Sequence, residues 1–279
     1  IDHPSRGDTK GAGIYFVDLQ RGDVLWRAGQ DASANLQLPG MTRSIATQIR
    51  VIDLSGDGLA DRMYASDMGG QILRFDIFQG KSPNGTGTDA LVTGGIIAQL
   101  GAEGLSGTPS VADTRRFYAA PDVSVFTDNL QNRRFIAVSL GSGYRAHPLD
   151  DSNTDRFYSI RDKNVFNPLT QAEYDAFSPI TESDLVEVSG QAGTLIGQNN
   201  AGWKFTLPAD QKVFSNSVTF NNEIFFVAFS ADTAGAAVCS AGLGRNFLYR
   251  VSVKNGDPIA DLDSIVPGEE DNERVEELA

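Results

Sequence analysis

The sequence predicts an all-β chain of the β-propeller class. Short β-prone runs bounded by Gly, Asn, Asp and Pro recur along the chain, while helical periodicity is scarce. Three stretches also share one pattern, an aromatic-containing strand followed by a glycine turn and the next strand: GIYFVDLQRGDVLW, GQILRFDIFQGK and NFLYRVSVKNGDPI. At about 40 to 50 residues per blade, such a chain has room for about six blades. We therefore predict a modified β-propeller, which need not be complete in this stretch of 279 residues.

The predicted strands follow one another closely and are joined by tight turns. Hairpin signals occur at 20–22, 69–70, 221–222 and 255–256, where Gly or Asn permits the backbone angles that such turns require. Local connections of this kind predict an antiparallel meander. The clearest strands are 13–19, 23–28, 47–54, 62–67, 71–78, 122–128, 133–141, 155–162, 212–220, 223–230 and 246–253.

Two regions interrupt this pattern of strands. Residues 81–95 are rich in Gly, Ser, Thr and Pro and predict a surface loop. Residues 169–190 hold the plausible helices, with Thr170 as N-cap of the first and Thr181 as N-cap of the second. We therefore expect a small helical insertion between strands.

Composition bounds the function. Residues 1–266 are predicted to form the propeller domain and residues 267–279 an acidic C-terminal tail. Acidic residues outnumber basic ones by 36 to 23, and the resulting charge of -13 disfavours nucleic acid as a partner. No segment is long and apolar enough for a membrane helix. Because His3, His147 and Cys239 are the only histidines and cysteine, zinc or Ser/His/Asp chemistry has little material and we expect no enzyme.

The stretch DLSGDGLAD, residues 53–61, predicts a calcium loop. Asp53, Ser55, Asp57 and Asp61 occupy positions one, three, five and nine, and Gly58 at position six permits a sharp turn. Such a loop offers side-chain oxygens from these four residues, and it also offers the backbone carbonyl of Leu59. Carboxylates this close together repel one another unless a cation lies among them.

This loop differs from the calcium loop of a helix-loop-helix sensor, and a second interpretation of it stays open. Position twelve is Tyr64 inside a predicted strand, where an EF-hand has Glu. The alternative is an acidic turn without metal. A further acidic cluster, DDSNTD at 150–155, has Arg156 at the glycine position, and we interpret it as a turn.

The sequence resembles the C-terminal β-propeller of the PilY family, which comprises type IV pilus biogenesis factors and tip-associated adhesins. The resemblance runs from about Gly13 to Leu262, and its most distinctive parts are GSGYRAHPLD and DRFYSIRD. Other parts that carry it are IRVIDLSGDGLADRMYASDMGGQILRFDI, RRFYAAPDVSVF, KVFSNSVTFNNEIFFVAFS and LGRNFLYRVSVKNGDPIADL. It does not include the family's large N-terminal region.

The resemblance implies a role and a place. It implies a domain at the bacterial cell surface, pilus tip or outer membrane, where bound Ca²⁺ influences pilus extension and retraction, and with them twitching motility. The implied partners are minor pilins or other pilus components and a host surface ligand. The family's calcium loop falls here on Asp53, Ser55, Asp57, Leu59 and Asp61, where Ser55 replaces the usual Asp or Asn.

Two other protein classes share some of these features. GIYFVDLQRGDVLW resembles a blade of quinoprotein dehydrogenases, but those enzymes repeat the blade tryptophan, and this chain has only Trp26 and Trp203. VIDLSGDGLADRMYA resembles the repeat of integrin-like calcium propellers, but that loop occurs once here. The Arg-Gly-Asp tripeptides at 6–8 and 21–23 are interpreted as a chain end and a hairpin turn, with integrin recognition as the alternative. His147 is interpreted as a loop residue.

Overall fold

The computed structural model is almost entirely built of β-strands. Among the residues that it describes there is one α-helix, α1 (Gln171–Asp175), and there are three short 3-10 helices, at Ala102–Gly104, Val111–Asp113 and Glu182–Asp184. No helix in the described part of the chain is long and apolar enough to cross a membrane. The described residues are 7–8, 10–79, 91–105, 107–128, 133–190, 192–197, 199–231, 244–259 and 274–278.

The first of two units comprises residues 1–114 and 166–181 and contains two sheets. Its core is formed by Trp26, Met63 and Phe75, and the indole of Trp26 meets the Phe75 ring edge-on at 6.3 Å. The strands of the first sheet are β1 (Gly13–Val17), β2 (Val24–Gly29) and β3 (Leu36–Gln37). Those of the second are β4 (Arg50–Ile52), β5 (Arg62–Ser66), β6 (Gln71–Ile77), β7 (Val92–Gln99) and β11 (Ile180–Thr181).

The second unit comprises residues 115–165 and 182–279 and also contains two sheets. Its core holds a stack of rings in which Phe226 lies parallel to Phe157 at 3.9 Å and to Tyr249 at 4.6 Å. The strands of the third sheet are β8 (Asp122–Asp128), β9 (Arg133–Gly141), β10 (Arg156–Asp162), β12 (Val186–Glu187) and β13 (Gly202–Thr206). Those of the fourth are β14 (Gln211–Val213), β15 (Val218–Phe220), β16 (Glu223–Ser230), β17 (Arg245–Ser252) and β18 (Val275–Leu278).

Most strands pair as the predicted antiparallel meander, with three exceptions. The strands β3, β11 and β12 have two residues each and lie parallel to β2, β7 and β13. Each predicted strand corresponds to an observed one, although residues 212–220 divide into β14 and β15. The described residues form four sheets, whereas the length of the chain allows about six blades.

The prediction of a surface loop at 81–95 is wrong for the last residues of this range. Residues 80–90 lie outside the described residues, but Val92–Gln99 form β7, which pairs with β6 and β11 in the second sheet. The Phe75 ring packs against Gly94, where a side chain would not fit, because a Cβ atom at this position would lie 2.3 Å from Cδ1 of Phe75. Glycine in this stretch therefore makes room for a neighbouring aromatic ring and does not form a turn.

The helical insertion is present and shorter than predicted. Thr170 caps α1 as expected, because its hydroxyl accepts the N–H of Glu173 and the Glu173 carboxylate accepts the N–H of Thr170. The second predicted helix, after Thr181, is wrong. A 3-10 turn there leads into β12, since Val186 pairs with Trp203 in an extended conformation.

The C-terminal stretch contributes a strand. Within the predicted acidic tail at 267–279, Val275–Leu278 form β18 and pair antiparallel with β17. Residues 260–273, together with Cys239, lie outside the described residues. The boundary of the predicted domain at 266 stays a prediction.

Candidate metal centre

All five predicted calcium ligands lie in the loop that joins β4 to β5. The backbone closes the loop at its base, where the N–H of Asp61 donates to the carbonyl of Ile52 at 2.9 Å. The carbonyl of Asp61 in turn accepts the N–H of Ile77, the last residue of β6, at 2.8 Å. The last residue of the loop is thus bonded to two strands of the second sheet.

Asp53 organises the first half of this loop. Its Oδ1 accepts the N–H of Gly56 at 2.6 Å and the Ser55 hydroxyl at 3.3 Å, and its Oδ2 accepts the N–H of Gly58 at 2.8 Å. Both glycines have positive φ angles, 78° and 85°, which other residues rarely adopt. The N–H groups of Gly58 and Gly56 lower the pKa of the Asp53 carboxyl, because they stabilise its charged form.

Asp61 and Asp57 also accept N–H groups of the loop. Oδ2 of Asp61 accepts the N–H groups of Leu54 and Ser55, each at 2.8 Å. Oδ1 of Asp57 accepts the N–H of Leu59 at 2.9 Å, which makes a local turn on the exposed side of the loop. Asp53, Ser55 and Asp61 are therefore linked through hydrogen bonds of their side chains, whereas the Asp57 carboxylate accepts the N–H of Leu59.

The donor set fits calcium by type, although the carboxylates do not converge. Calcium takes six to eight oxygen ligands, and the loop offers carboxylate, hydroxyl and carbonyl oxygens with no Lys or Arg among residues 53–61. Across the described residues, no group of three or more His, Cys, Asp or Glu side chains is placed to hold a metal ion. Asp57 must turn toward Asp53 and Asp61 before all three can share one ion.

The second acidic cluster, at 150–155, is partly buried. Asp155 is 1% exposed, and its Oδ1 accepts the Ser142 hydroxyl at 2.7 Å and the Asn153 amide at 3.3 Å. The ammonium of Lys212, itself almost fully buried, lies 3.9 Å from Oδ2 of Asp155. Burial raises the pKa of the Asp155 carboxyl. The interpretation as a plain turn missed this cluster, whose one sequence signal is the Ser142 of the GSGY stretch.

Comparisons with known proteins settle the fold. The sequence matches no protein-family model and no curated protein. Among solved structures, the C-terminal domain of PilY1 from Pseudomonas aeruginosa is similar, with a TM-score of 0.61 and 14% sequence identity. The chain has the fold of that domain. The match covers 89% of this chain and 54% of that one, so the chain spans about half of the PilY1 domain's length.

Two predictions are confirmed at the level of fold by the PilY1 domain. The chain belongs to the predicted propeller-like all-β class, and the resemblance to PilY proteins read from the sequence extends to the structure.

Two of the stretches that carry the resemblance to PilY proteins, RRFYAAPDVSVF and DRFYSIRD, contribute side chains to a partly buried polar network around Glu182 in the second unit. The carboxylate of Glu182 accepts the Tyr158 hydroxyl, Nη1 of Arg156 at 2.9 Å and Nε of Arg115 at 3.2 Å. Its backbone carbonyl accepts Nζ of Lys204 at 2.9 Å. Burial raises the pKa of the Tyr158 hydroxyl well above its ordinary value. Arg115, Arg156 and Tyr158 of these stretches therefore share one carboxylate, that of Glu182.

Of the two Arg-Gly-Asp tripeptides, the second lies in a turn. Arg21-Gly22-Asp23 forms the tip of the β1–β2 hairpin, with Gly22 at a φ of 76°. The Arg21 guanidinium is held by Asp18 at 3.3 Å and by Asp23 at 3.2 Å. This supports the turn interpretation. The first tripeptide lies partly outside the described residues, and His147 packs on the Tyr144 ring with centroids 4.8 Å apart.

Proposed function

We propose that this chain is a calcium-binding, non-enzymatic domain of a type IV pilus assembly and adhesion protein. The observation that carries the proposal is the fold shared with the PilY1 C-terminal domain over 89% of the chain. The sequence resemblance to the same family, whose members act in type IV pilus biogenesis, points in the same direction. We place the protein at the bacterial surface, where it regulates pilus extension and retraction and supports attachment.

The ion would be held by the loop at 53–61. Calcium supplies positive charge there, and Asp53, Ser55, Asp57, Leu59 and Asp61 supply oxygen ligands. Since Asp61 is hydrogen-bonded to Ile52 and Ile77 through its backbone, a cation bound to its side chain orders the loop together with the second sheet. The ordered loop then presents one surface to a minor pilin or another pilus component, and ion binding biases that contact.

Two alternatives are less well supported. A quinoprotein dehydrogenase relies on repeated blade tryptophans, and both tryptophans of this chain lie in apolar cores. An integrin-like interaction propeller repeats its calcium loop, which occurs once in this sequence. Binding of pyrroloquinoline quinone in stoichiometric amount would favour the enzyme over the pilus component.

Calcium binding is tested with Asp57→Ala. Asp57 is suited to the test because it accepts only one loop N–H, so its removal spares the bonds made by Asp53 and Asp61. We expect titration calorimetry to show calcium binding to the wild type and at least tenfold weaker binding to Asp57→Ala, with an unchanged circular dichroism spectrum. Asp151→Ala, at an exposed aspartate of the second cluster, is the matched control and should bind like the wild type. Equal calcium binding by Asp57→Ala and the wild type would show that the ion binds outside the loop at 53–61.

The pilus role is tested with the same variants in a piliated bacterium that carries this protein in full length. We expect the Asp57→Ala strain to show altered pilus numbers that no longer respond to external calcium, while Asp151→Ala behaves like the wild type. If calcium acts as a switch, it also changes the affinity for the pilus partner, and the partner changes calcium affinity by the same factor. Normal pili and twitching after deletion of the whole protein would contradict the proposal.

A further inference from the structure

A second carboxylate site lies at the other end of β5, in the turn that leads to β6. Oδ1 of Asp67 accepts the N–H groups of Gly69 and Gln71, each at 2.9 Å. The side chain is fully buried, with 0% exposure. Within the described part of the chain, its other oxygen, Oδ2, has no hydrogen-bond partner. A buried carboxylate oxygen without a donor is costly, so it needs an explanation.

The neighbouring side chain of Gln71 has a second buried acceptor without a donor. Its Nε2 donates to the carbonyl of Gly40 at 3.1 Å and to Oε2 of Glu103 at 2.8 Å. Both partners are acceptors, so the orientation of the amide is fixed by chemistry. Oε1 must then face the other way, where the described residues offer it no donor.

The charges around this turn do not balance. Glu103, from the 3-10 helix after β7, accepts Nε of Arg43 at 2.7 Å. Arg43, from the segment between β3 and β4, lies over the turn, because a Cβ on Gly69 would be 2.3 Å from its Cγ. Glu103 and Arg43 are charged groups that act on Asp67, Glu103 more strongly than Arg43. With Asp67 and Glu103 ionised against Arg43, the cluster carries one excess negative charge.

One positive charge would neutralise the cluster, and a proton suits it better than a metal ion. Calcium or magnesium needs about six or more oxygen ligands. Here only Oδ2 of Asp67 and Oε1 of Gln71 lack a donor, since both Glu103 oxygens already accept hydrogen bonds. A proton needs a single oxygen and converts that oxygen into a donor.

We propose that Asp67 is a proton-binding site that holds the β5–β6 turn against the segment 40–44, and that loss of the proton loosens this turn. The loosened contacts are those of Gln71 with Gly40 and of Met68, whose N–H donates to the carbonyl of Ser44 at 3.0 Å. Neither Asp67 nor its partners are calcium-loop residues, so the inference does not depend on the proposed function.

The electrostatics of the turn agree with this assignment. Burial raises the pKa of the Asp67 carboxyl to about 7, opposed by the N–H groups of Gln71 and Gly69. The Glu103 charge raises this pKa further, and the Arg43 charge lowers it. When the turn opens, the carboxyl returns toward its ordinary pKa of 3.8 and releases its proton. Between these two values the closed form binds more protons, so closure weakens as the pH rises and levels off above about 7.

Hydrogen exchange at single amides tests the proposal in the whole chain. For Met68 and Gln71, after correction for intrinsic exchange, we expect the population of the open turn to rise about tenfold per pH unit from about pH 5 to 6.5 and to level off above about 7. In Asp67→Asn, whose amide is a permanent donor, the same population should be independent of pH. The exposed control Asp151→Asn should keep the wild-type profile.

A carboxyl titration by NMR decides the case even if Asp67→Asn does not fold. We expect the Asp67 resonance of the wild type to titrate near 7 and its midpoint to fall in Glu103→Gln, because that substitution removes the neighbouring negative charge. A midpoint near 3.8 in the wild type, or a parallel pH profile for wild type and Asp67→Asn, would overturn the proposal.

Discussion

Asp53 and Asp67 lie before and after the same strand, β5, and each accepts two backbone N–H groups within its own turn. The pKa of Asp53 is nevertheless lowered, whereas that of Asp67 is raised to about 7. The difference is burial, because Asp53 is exposed and Asp67 is enclosed. Hydrogen bonds from the backbone lower the pKa of the exposed Asp53 carboxyl, whereas desolvation outweighs the same kind of bond at the buried Asp67.

A third aspartate of the same sheet shows how an interior carboxylate is stabilised by charge. Asp76 has 0% exposure, and it accepts Nε of Arg62 at 2.6 Å and Nη2 of Arg74 at 2.9 Å. The Tyr174 hydroxyl and the N–H of Leu169 donate to it as well, each at 2.8 Å. Asp76 is therefore paired directly with two guanidinium groups, whereas Arg43, the cation near Asp67, forms its ion pair with Glu103.

The largest effect is expected from Asp76→Ala. Two buried guanidinium groups lose their shared carboxylate, so the free energy of unfolding should fall by about 3–5 kcal/mol. Urea denaturation followed by fluorescence measures this change, and Asp175→Ala on the exposed face of α1 is the control. A loss as small as that of the control would show that buried charge pairing contributes little to this sheet.

Glycine substitutions in the two turns compare packing with backbone strain. Gly69→Ala places a methyl group on the Arg43 side chain, and displacement of Arg43 should cost about 1–3 kcal/mol. Gly58→Ala meets no atom within 4 Å, but its φ of 85° should cost about 1 kcal/mol. Thermal unfolding of both variants should rank Gly69→Ala as the less stable. If Gly58→Ala were the less stable variant, the loop at 53–61 would be the more rigid of the two turns.

The smallest effect is expected from Asp53→Asn, with a pH dependence opposite to that of Asp67. Because the folded-state pKa of Asp53 is lowered, its stabilising contribution is present above its ordinary pKa of 3.8 and is lost as the pH falls through the lower folded value. Asp53→Asn should therefore lower the melting temperature slightly near neutral pH and not in strong acid. A deficit that persists in strong acid would assign the effect to geometry.

The sequence predicts the strands of this fold well because aromatic and β-branched residues alternate with polar ones along most of them. The sequence does not predict β7, because Gly94 looks like a turn residue but makes room for an aromatic ring of the neighbouring strand. It also predicts a second helix wrongly, because Val186 pairs in a sheet with a residue 17 positions ahead. The loop at 53–61 can be predicted from the sequence as a calcium site because its candidate ligands are local. Asp67 cannot be predicted in this way, because the groups that bury and charge it lie at Arg43 and Glu103, far from it along the chain.

The first unit is discontinuous in sequence, and this has a consequence for synthesis of the chain. Leu169 and Tyr174, which complete the hydrogen bonds of Asp76, come from the segment 166–181, after the whole of β8, β9 and β10. At about 5–20 residues per second, the ribosome makes the strand that carries Asp76 several seconds before these partners. During that interval the carboxylate of Asp76 lacks two of the hydrogen-bond donors that it has in the folded chain.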